Sequence, residues 1–293
     1  MGITINSLCV DCLLYKHNAN ARTLGTDEQA YAFSKALMKL FLDASPEDNS
    51  AVLGKRINEL YMEHYGMPQD RFQEEKKASN AFVLERLDLV RNRVKQSEDP
   101  VLTALQYAIL GNYIDFSALG KTVSFDTLEQ MLAKPEKFAF DVTDYGSFCD
   151  DLQTAKTMLI VTDNAGEIGF DMVLAEVLTK KYPDLQITFC VRGMPAHNDA
   201  TREDAAFFNL PFALVDSGSD IGGMELRYLG EEIKQTMAQS DIIIAKGMGN
   251  TETLYGSGYP IYYAFLVKCP RFEQVFGKPH MTPMFVKEKN KLN

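Results

Sequence analysis

Asp163 and Asn164 open a five-residue segment, Asp-Asn-Ala-Gly-Glu, whose side chains could bind a metal ion next to a phosphate. The segment follows the apolar run 158–162 and precedes 170–181, which has a helical pattern. A strand that ends in carboxylate and amide oxygens places them at the edge where open α/β sheets bind ligands. Such oxygens suit Mg²⁺ or Mn²⁺, and a helix N-terminus suits phosphate. The pattern indicates a metal-assisted phosphate site, although the same residues are common in turns without chemistry.

Two further predicted strands end in polar loops. The run 187–191 leads into a loop that contains Asp199, and the run 242–245 leads directly into Lys246. Because the carboxyl ends of parallel strands meet at one edge of a sheet, we expect these loops to converge on one crevice. A site for a divalent metal and a phosphate needs this mixture of carboxylates, amides and cations.

The composition excludes several classes of protein. The net charge of −10 argues against a nucleic acid or an anionic membrane as the main partner, because both require clustered Lys and Arg. No apolar run approaches the roughly 20 residues of a membrane span, and no secretory signal is visible, so the cytoplasm is expected. Five widely spread cysteines do not resemble a disulfide framework and are expected to be reduced. The basic stretch 287–291 is interpreted as a solvated tail.

The first half of the chain is predicted to be helical. Apolar residues recur at helical spacing in four segments, which are 27–42, 52–64, 72–95 and 101–110. Since no convincing strand interrupts them, we expect residues 1–150 to form a helical region.

After about residue 155 short β-rich runs alternate with helical segments. The β-rich runs are 158–162, 187–191, 212–215, 242–245 and 284–286, and the helical segments are 170–181, 202–208 and 224–240. This alternation predicts an α/β fold, with a doubly wound, mostly parallel, Rossmann-like sheet and helices on both faces. Residues 151–293 are then the metal- and phosphate-binding core. No linker marks the boundary, so the two regions are also compatible with one compact unit.

Six short segments together resemble the signatures of the damage-control phosphatase family. In chain order they are 9–12, 111–116, 163–167, 191–200, 246–252 and 268–269. The first of them, Cys-Val-Asp-Cys, resembles the prokaryotic branch of the family that carries a cysteine pair. Several motifs in the correct order are far more specific than any one of them.

The resemblance implies a metal-dependent phosphatase that acts on small phosphorylated metabolites, including sugar phosphates and damaged cofactor precursors. Asp163 and Asn164 match the metal-binding pair of the family, and Asp199 matches the aspartate that completes the protein ligands. The implied ion is Mn²⁺, Co²⁺, Ni²⁺ or Mg²⁺, because hard oxygen ligands accept several divalent ions.

Further residues are expected to contact the phosphate or the substrate. Lys246 and Lys268 are candidates for offsetting the charge of the transferred phosphoryl group, the latter almost wholly from the resemblance. Gly247 and Asn250 could cradle the phosphate or the substrate, or could form no more than a glycine loop.

Three other positions have a structural alternative beside the functional one. Glu167 could orient a water molecule or accept a proton, or could be a first-turn carboxylate favoured by the helix dipole. Asn112 and Asp115 are assigned to substrate binding by the resemblance, although Gly-Asn is also an ordinary helix C-cap. Cys9 and Cys12 have the spacing of half a zinc site without a second half.

The expected reaction is hydrolysis of a phosphate monoester, with Asp163, Asp199 and Glu167 as catalytic residues and either water or a carboxylate such as Asp199 as the nucleophile. One alternative is carboxyl methyl transfer from S-adenosylmethionine, which a Rossmann-like sheet permits and which has been described for a eukaryotic branch of the family. The first strand lacks the Gly-x-Gly turn usual in nucleotide binding. Another alternative is a protein that binds phosphorylated metabolites without turnover.

Overall fold

The computed structural model of the protein describes residues 2–289, apart from the side chain of Lys121. Within this range the strands are β1 (Thr157–Val161), β2 (Gln186–Val191), β3 (Ala213–Asp216), β4 (Ile242–Lys246), β5 (Ile261–Leu266) and β6 (Pro283–Lys287). The helices are α1 (Ser7–Ala21), α2 (Asp27–Leu42), α3 (Ser50–Tyr65), α4 (Gln73–Leu84), α5 (Leu87–Gln96), α6 (Pro100–Gly111), α7 (Phe125–Ala133), α8 (Thr143–Asp151), α9 (Glu167–Lys181), α10 (Arg202–Phe207), α11 (Glu231–Gln239), α12 (Gly247–Leu254) and α13 (Pro270–Phe276).

The strands form one sheet in the order β3-β2-β1-β4-β5-β6. Strands β1 to β5 are parallel to their neighbours, and β6 pairs with β5 in the antiparallel sense. The chain order reverses between β1 and β4, and this switch point is where doubly wound sheets leave a crevice for ligands. The fold class predicted from the sequence is confirmed.

Both faces of the sheet are covered. Along β1, Met158 and Ile160 belong to a core shared with α6 and α9, whereas Leu159 and Val161 belong to a core shared with α11 and α12. Successive side chains of a strand point to opposite faces, so a strand buried on both sides is apolar throughout.

Helix α6 packs the helical region against the sheet. It begins at Pro100 with Asp99 as a side-chain N-cap, and it is buried because it is apolar on almost every side. It ends at Gly111, where a Cβ would lie 2.8 Å from Cδ2 of Phe170 on α9. The glycine therefore allows α6 to touch α9, and this contact brings Asn112 to the switch point.

One hydrophobic core joins the two predicted regions. It includes Val83 and Leu105 from the helical region as well as Ile160 and Leu174 from the α/β region. Residues on both sides of the predicted boundary thus contribute to the same core. The division of the chain into 1–150 and 151–293 stays a prediction.

The helical segment predicted over 72–95 consists of two helices. Helix α4 ends at Leu84 and α5 begins at Leu87. Arg86 stabilises the break, since its Nη1 donates to the carbonyl oxygen of Phe82 at 2.8 Å and its guanidinium lies 3.6 Å from the centroid of the Phe82 ring. The arginine thus binds a carbonyl group that a continuing helix would have used.

Two other predictions differ from the structure. The helix predicted over 224–240 is confined to α11, because Gly230 has an extended backbone and its N–H donates to the carbonyl of Ser217 at 3.0 Å. The sequence pattern does not predict strand β5. Its residues are uniformly buried, and a short apolar run without alternation does not distinguish a strand from a buried helix.

The basic stretch 287–291 is only partly a tail. Lys287 lies in β6, and its Nζ donates to Asp151 at 2.7 Å, while Glu288 is buried. Asn290 and Lys291 lie outside the described residues. Across residues 2–289, no helix combines the length and apolar character that a membrane crossing would require.

Candidate active site

The segment after β1 turns sharply into α9. Gly166, the N-cap of α9, has φ +79°, and a Cβ there would lie 2.9 Å from the carbonyl oxygen of Ser79. Its N–H donates to Oδ1 of Asn80 at 2.7 Å, which ties the turn to α4. Glycine at this position is required by both the left-handed backbone and the close approach.

The loops after β1 and β2 pair with each other. Asn164 and Asp199 form an isolated antiparallel bridge, and the N–H of Ala200 donates to the carbonyl oxygen of Asp163 at 2.7 Å. Residues that pair in this way have Cα atoms about 4.5–5.5 Å apart. The three residues expected to bind metal, Asp163, Asn164 and Asp199, are therefore neighbours at the switch point.

The two carboxylates of this group are buried and close enough to repel each other. Burial raises the pKa of Asp163 well above its usual range, and the charges of Asp199 and Glu167 raise it further. Burial also raises the pKa of Asp199 to about 6, although Arg192 opposes this shift. Arg192 pairs with Asp199 at 2.6 Å, whereas Asp163 has no ion pair among residues 2–289. A divalent cation beside the two would stabilise both carboxylates in the ionised form.

Few side chains at this site could bind a metal ion directly. Among residues 2–289, no group of three or more His, Cys, Asp and Glu side chains is arranged to hold a metal. Asp163, Asn164 and Asp199 offer two carboxylates and one amide oxygen, and all three are oxygen donors of the kind that Mg²⁺ and Mn²⁺ prefer. An ion bound by them would keep positions for water and substrate.

Gly247 provides the space that Asp163 occupies. Gly247 has φ +76°, and a Cβ there would lie 2.0 Å from Oδ2 of Asp163. The same carboxylate oxygen accepts hydrogen bonds from Nδ2 of Asn112 at 2.9 Å and from Nδ2 of Asn164 at 2.8 Å. The glycine expected to cradle phosphate thus makes room for the carboxylate of the candidate metal site.

Lys246 lies beneath the crevice and does not face it. Its Nζ donates to Oε1 of Glu167 at 2.5 Å, to Oδ1 of Asp171 at 2.7 Å and to the carbonyl oxygen of Ala108 at 2.9 Å. An ammonium group has three N–H donors, so none is left for a phosphate. Burial opposes the charge of Lys246, but the two carboxylates outweigh it and raise the pKa of the lysine. This placement differs from the phosphate contact expected from the sequence.

Glu167 connects Lys246 to the candidate metal ligands by hydrogen bonds. Its Oε2 accepts from Nδ2 of Asn164 at 2.7 Å and from Nδ2 of Asn112 at 3.2 Å. Because an amide carries its N–H₂ and its oxygen on opposite sides, this contact turns Oδ1 of Asn164 away from Glu167. Burial, together with the charge of Glu167, raises the pKa of Asp171 to about 7, against the opposing effect of Lys246.

Lys268 and the end of α6 form the opposite wall. Nζ of Lys268 donates to Oδ2 of Asp115 at 2.6 Å and to the carbonyl oxygen of Asn112 at 2.8 Å. Burial opposes ionisation of Asp115, but Lys268 holds the pKa of this carboxyl below its usual value. Oδ1 of Asn112 accepts from the N–H of Leu266 at 3.1 Å, so Asn112 is fixed between β5 and Asp163.

Two polar residues of the site carry no role in the sequence-based prediction. Arg192 is buried, and it donates through Nε to Oδ2 of Asp199 at 2.6 Å and through Nη2 to Oδ1 of Asn250 at 2.8 Å. Asn198 donates through Nδ2 to Oδ1 of Asn164 at 2.9 Å. Arg192 directly follows β2, as Lys246 ends β4, and this position at a strand end is the signal that could have identified it.

Asn250, expected to bind phosphate, is used inside the fold. Besides accepting from Arg192, its Nδ2 donates to the carbonyl oxygens of Thr162 at 2.9 Å and of Lys246 at 2.6 Å. All of its hydrogen-bonding groups therefore connect β1, β2 and β4.

The cysteine pair lies on α1, and both thiols are free. Cys9 is half-buried, and burial raises the pKa of its thiol, whereas Cys12 is exposed. Neither residue belongs to a metal-holding group among the part of the chain that the structure describes.

A cavity of about 290 Å³ opens beside the loop after β2. Its lining includes Gly54 and Asn58 of α3 and His197 of that loop. A Cβ at Gly222 would lie 2.9 Å from Cδ2 of His197 and 3.9 Å from Oδ2 of Asp199, so the cavity adjoins the candidate metal site.

Comparison with known proteins gives one consistent result. A family model described as the damage-control phosphatase ARMT1-like domain matches residues 5–282. The chain is 30% identical to a damage-control phosphatase of Archaeoglobus fulgidus over 271 residues, which cover 90% of this chain and 92% of that protein. It is 29% identical to a damage-control phosphatase of Pyrococcus horikoshii over 226 residues, or 76% of each chain.

A solved structure has the same fold. The crystal structure of a DUF89 family protein from Pyrococcus horikoshii superimposes with a TM-score of 0.83 at 25% sequence identity. The match covers 98% of this chain and 100% of the other.

Proposed function

The chain belongs to the damage-control phosphatase ARMT1-like family, and from this premise we propose that it is a metal-dependent phosphatase that hydrolyses phosphate monoesters of small metabolites. The observation that carries the proposal is the pairing of the loops after β1 and β2, which sets Asp163 and Asn164 beside Asp199. Family membership supports phosphatase activity on damaged metabolites; the metal dependence and the monoester substrate are the parts proposed here.

A divalent ion would be held by Asp163, Asn164 and Asp199, and when bound it would supply Lewis acidity toward a phosphoryl oxygen. The surrounding residues fix these three. Arg192 holds one oxygen of Asp199, and the amides of Asn112 and Asn164 hold one oxygen of Asp163. Preorganised ligands lower the reorganisation needed during the reaction.

Lys268 is the lysine placed to offset phosphoryl charge. Two of its three N–H groups are used by Asp115 and Asn112, which leaves one for a phosphoryl oxygen. The N-terminus of α9, a helix of 15 residues, adds backbone N–H groups and a favourable dipole. Glu167 acts as a positioning residue, because its oxygens accept from Lys246, Asn112 and Asn164.

Asp163→Asn tests the proposal. We expect the variant to fold and to lose Mn²⁺-dependent release of phosphate from an aryl phosphate by at least about 100-fold, since one anionic ligand becomes neutral. Asp184→Asn is the matched control, because the side chain of Asp184 is 87% exposed.

The assay is run on chelator-treated protein with Mn²⁺, Co²⁺, Ni²⁺ or Mg²⁺ added singly, and the thermal unfolding midpoint serves as the check on folding. Full activity of Asp163→Asn would contradict the proposal. So would chelator-treated wild-type protein that stays inactive whichever metal is added. Stabilisation of the protein by S-adenosylmethionine but by none of the metals would favour methyl transfer instead.

A further inference from the structure

Two half-buried cations of the helical region have no carboxylate partner in the part of the chain that the structure describes. Lys16 donates through Nζ to the carbonyl oxygen of Ser117, and Arg71 donates through Nε to Oδ1 of Asn58 at 2.6 Å. Among residues 2–289, no carboxylate oxygen lies within 4.0 Å of either charged group. Both side chains are also largely withdrawn from solvent, and burial lowers the pKa of each.

Other cations near the site are neutralised. Ion pairs join Lys246 to Glu167, Lys268 to Asp115, Arg192 to Asp199 and Lys76 to Asp204. A half-buried charge without a partner is costly unless a ligand of opposite charge completes the site.

Lys16 is connected to the candidate metal site by a short chain of hydrogen bonds. The N–H of Ser117, whose carbonyl accepts from Lys16, donates to Oδ1 of Asn198 at 3.1 Å. Nδ2 of Asn198 donates to Oδ1 of Asn164 at 2.9 Å. One backbone unit and one side chain thus separate Lys16 from Asn164, so Lys16 is close to the site but outside it.

Arg71 is held on the same wall by aromatic rings. Its guanidinium carbon lies 4.1 Å from the ring centroid of Tyr61 and 5.5 Å from that of Phe72. Oη of Tyr61 lies 3.1 Å from Nδ1 of His17, which is the residue after Lys16. The ring of Phe72 in turn lies 6.3 Å, centroid to centroid, from that of His197, which lines the cavity.

The electrostatics of the two groups agree with this placement. Burial lowers the pKa of Lys16, and the charge of Arg71 lowers it further against the opposing effect of Asp115. Burial also lowers the pKa of Arg71, which stays protonated as arginine does in proteins. The two cations repel each other, and an anion bound between them would relieve both effects.

We propose that Lys16 and Arg71 form a second anion subsite, which binds an anionic group of the substrate other than the phosphoryl group that is cleaved. The subsite rests on the proposed phosphatase function, with the cleaved group at Asp163, Asn164 and Asp199. Ser117 and Asn198 lie between the two positions. The substrate class is therefore a small metabolite with a phosphate monoester at one end and a second phosphate or a carboxylate at the other.

Kinetics on paired substrates test the subsite. A hexose bisphosphate and a phosphorylated sugar acid are compared with an aryl phosphate, which has no second anionic group. We expect Lys16→Met and Arg71→Met each to lower kcat/KM for the substrates with two anionic groups by about 10- to 100-fold, as for a lost charge-assisted hydrogen bond. Activity on the aryl phosphate should stay within about twofold.

Matched controls exclude general effects of charge. Lys77→Met and Arg91→Met remove paired cations of α4 and α5 and should leave every substrate unchanged. Lys16→Arg and Arg71→Lys retain the charge and should recover part of the lost activity, which a folding defect would not allow. An equal loss on all substrates, or no loss on those with two anionic groups, overturns the subsite.

Binding separates this inference from the proposed function. Inorganic phosphate is titrated calorimetrically into chelator-treated wild-type protein, Lys16→Met and Arg71→Met. Weaker binding by both variants, with no turnover by the wild-type protein under any metal, would support an anion site at Lys16 and Arg71 and sink the phosphatase proposal. Equal binding by all three proteins, with metal-dependent turnover intact, would support the phosphatase and sink the subsite.

Discussion

Replacing Lys246 with methionine distinguishes a lysine that organises the site from one that binds substrate phosphate. The side chains of Lys246, Glu167 and Asp171 are all 0% exposed, so solvent does not screen their interaction. Removing the ammonium leaves two carboxylates buried side by side. Breaking a buried ion pair in this way costs about 3–5 kcal/mol of unfolding free energy.

The assay is denaturant unfolding at pH 8. In the wild-type protein, burial and the charge of Glu167 raise the pKa of Asp171 to about 7 against the opposing effect of Lys246, so Asp171 is largely ionised at this pH. Without Lys246 its pKa rises further, and a proton bound by Asp171 would be part of the cost. The double variant Lys246→Met with Asp171→Asn removes one of the two carboxyl groups left without a cation. We expect it to be more stable than Lys246→Met alone, although it carries one more substitution.

Lys156→Met serves as the surface control, since Lys156 is 69% exposed, and it should change the unfolding free energy by less than about 0.5 kcal/mol. A loss of less than about 1 kcal/mol in Lys246→Met, together with weaker binding of inorganic phosphate, would contradict a purely structural role for this lysine. That result would make Lys246 the phosphate ligand expected from the sequence.

Two further predictions concern Gly247 and Glu252. Gly247→Ala should abolish activity while the protein still folds, because the added Cβ would lie 2.0 Å from Oδ2 of Asp163. Gly66→Ala is the control: Gly66 has φ +61° and nothing within 4 Å of its Cβ position, so this variant should lose about 1 kcal/mol of unfolding free energy and keep its activity. An active Gly247→Ala would contradict the expectation. Burial raises the pKa of Glu252 to about 7 against the opposing hydrogen bonds from Ser50, so its contribution to stability is fully present below its unfolded pKa of 4.5 and is lost as the pH rises through 7. Between pH 5 and 8 the unfolding free energy of Glu252→Gln should therefore fall by less than that of the wild-type protein, the difference reaching up to about 3 kcal/mol. Parallel pH profiles of unfolding would refute this.

The sequence predicts the sheet and the meeting of its loops because strand ends have a simple geometry. Asp163, Asn164 and Asp199 follow parallel neighbouring strands, so their convergence follows once the strands are recognised. The resemblance to the damage-control phosphatases is confirmed at the level of the family. The assignment to the branch with a cysteine pair stays a prediction.

The direction of a side chain at a strand end is harder to predict. Lys246 ends β4, and a lysine there can point into the crevice or under it. Its partners Glu167 and Asp171 are four residues apart on α9 and so share one face of that helix. Two carboxylates on the buried face of a helix require a buried cation, and this spacing was the available signal.

Residues of the helical region could not be placed from the sequence. Lys16 lies within α1 and Arg71 in the connection before α4, and neither follows a strand. Their positions depend on how α1 and α3 pack beside the sheet, which is set by contacts between residues far apart in the chain. Amphipathic patterns predict that such helices exist without predicting which of their polar residues reach the crevice.

The most direct test of the central claim is anomalous diffraction from crystals of the wild-type protein grown with Mn²⁺. We expect one strong peak bounded by oxygen atoms of Asp163, Asn164 and Asp199, at bond lengths of about 2.0–2.3 Å. A peak elsewhere in crystals of active protein, with no ion between the loops after β1 and β2, would contradict the account.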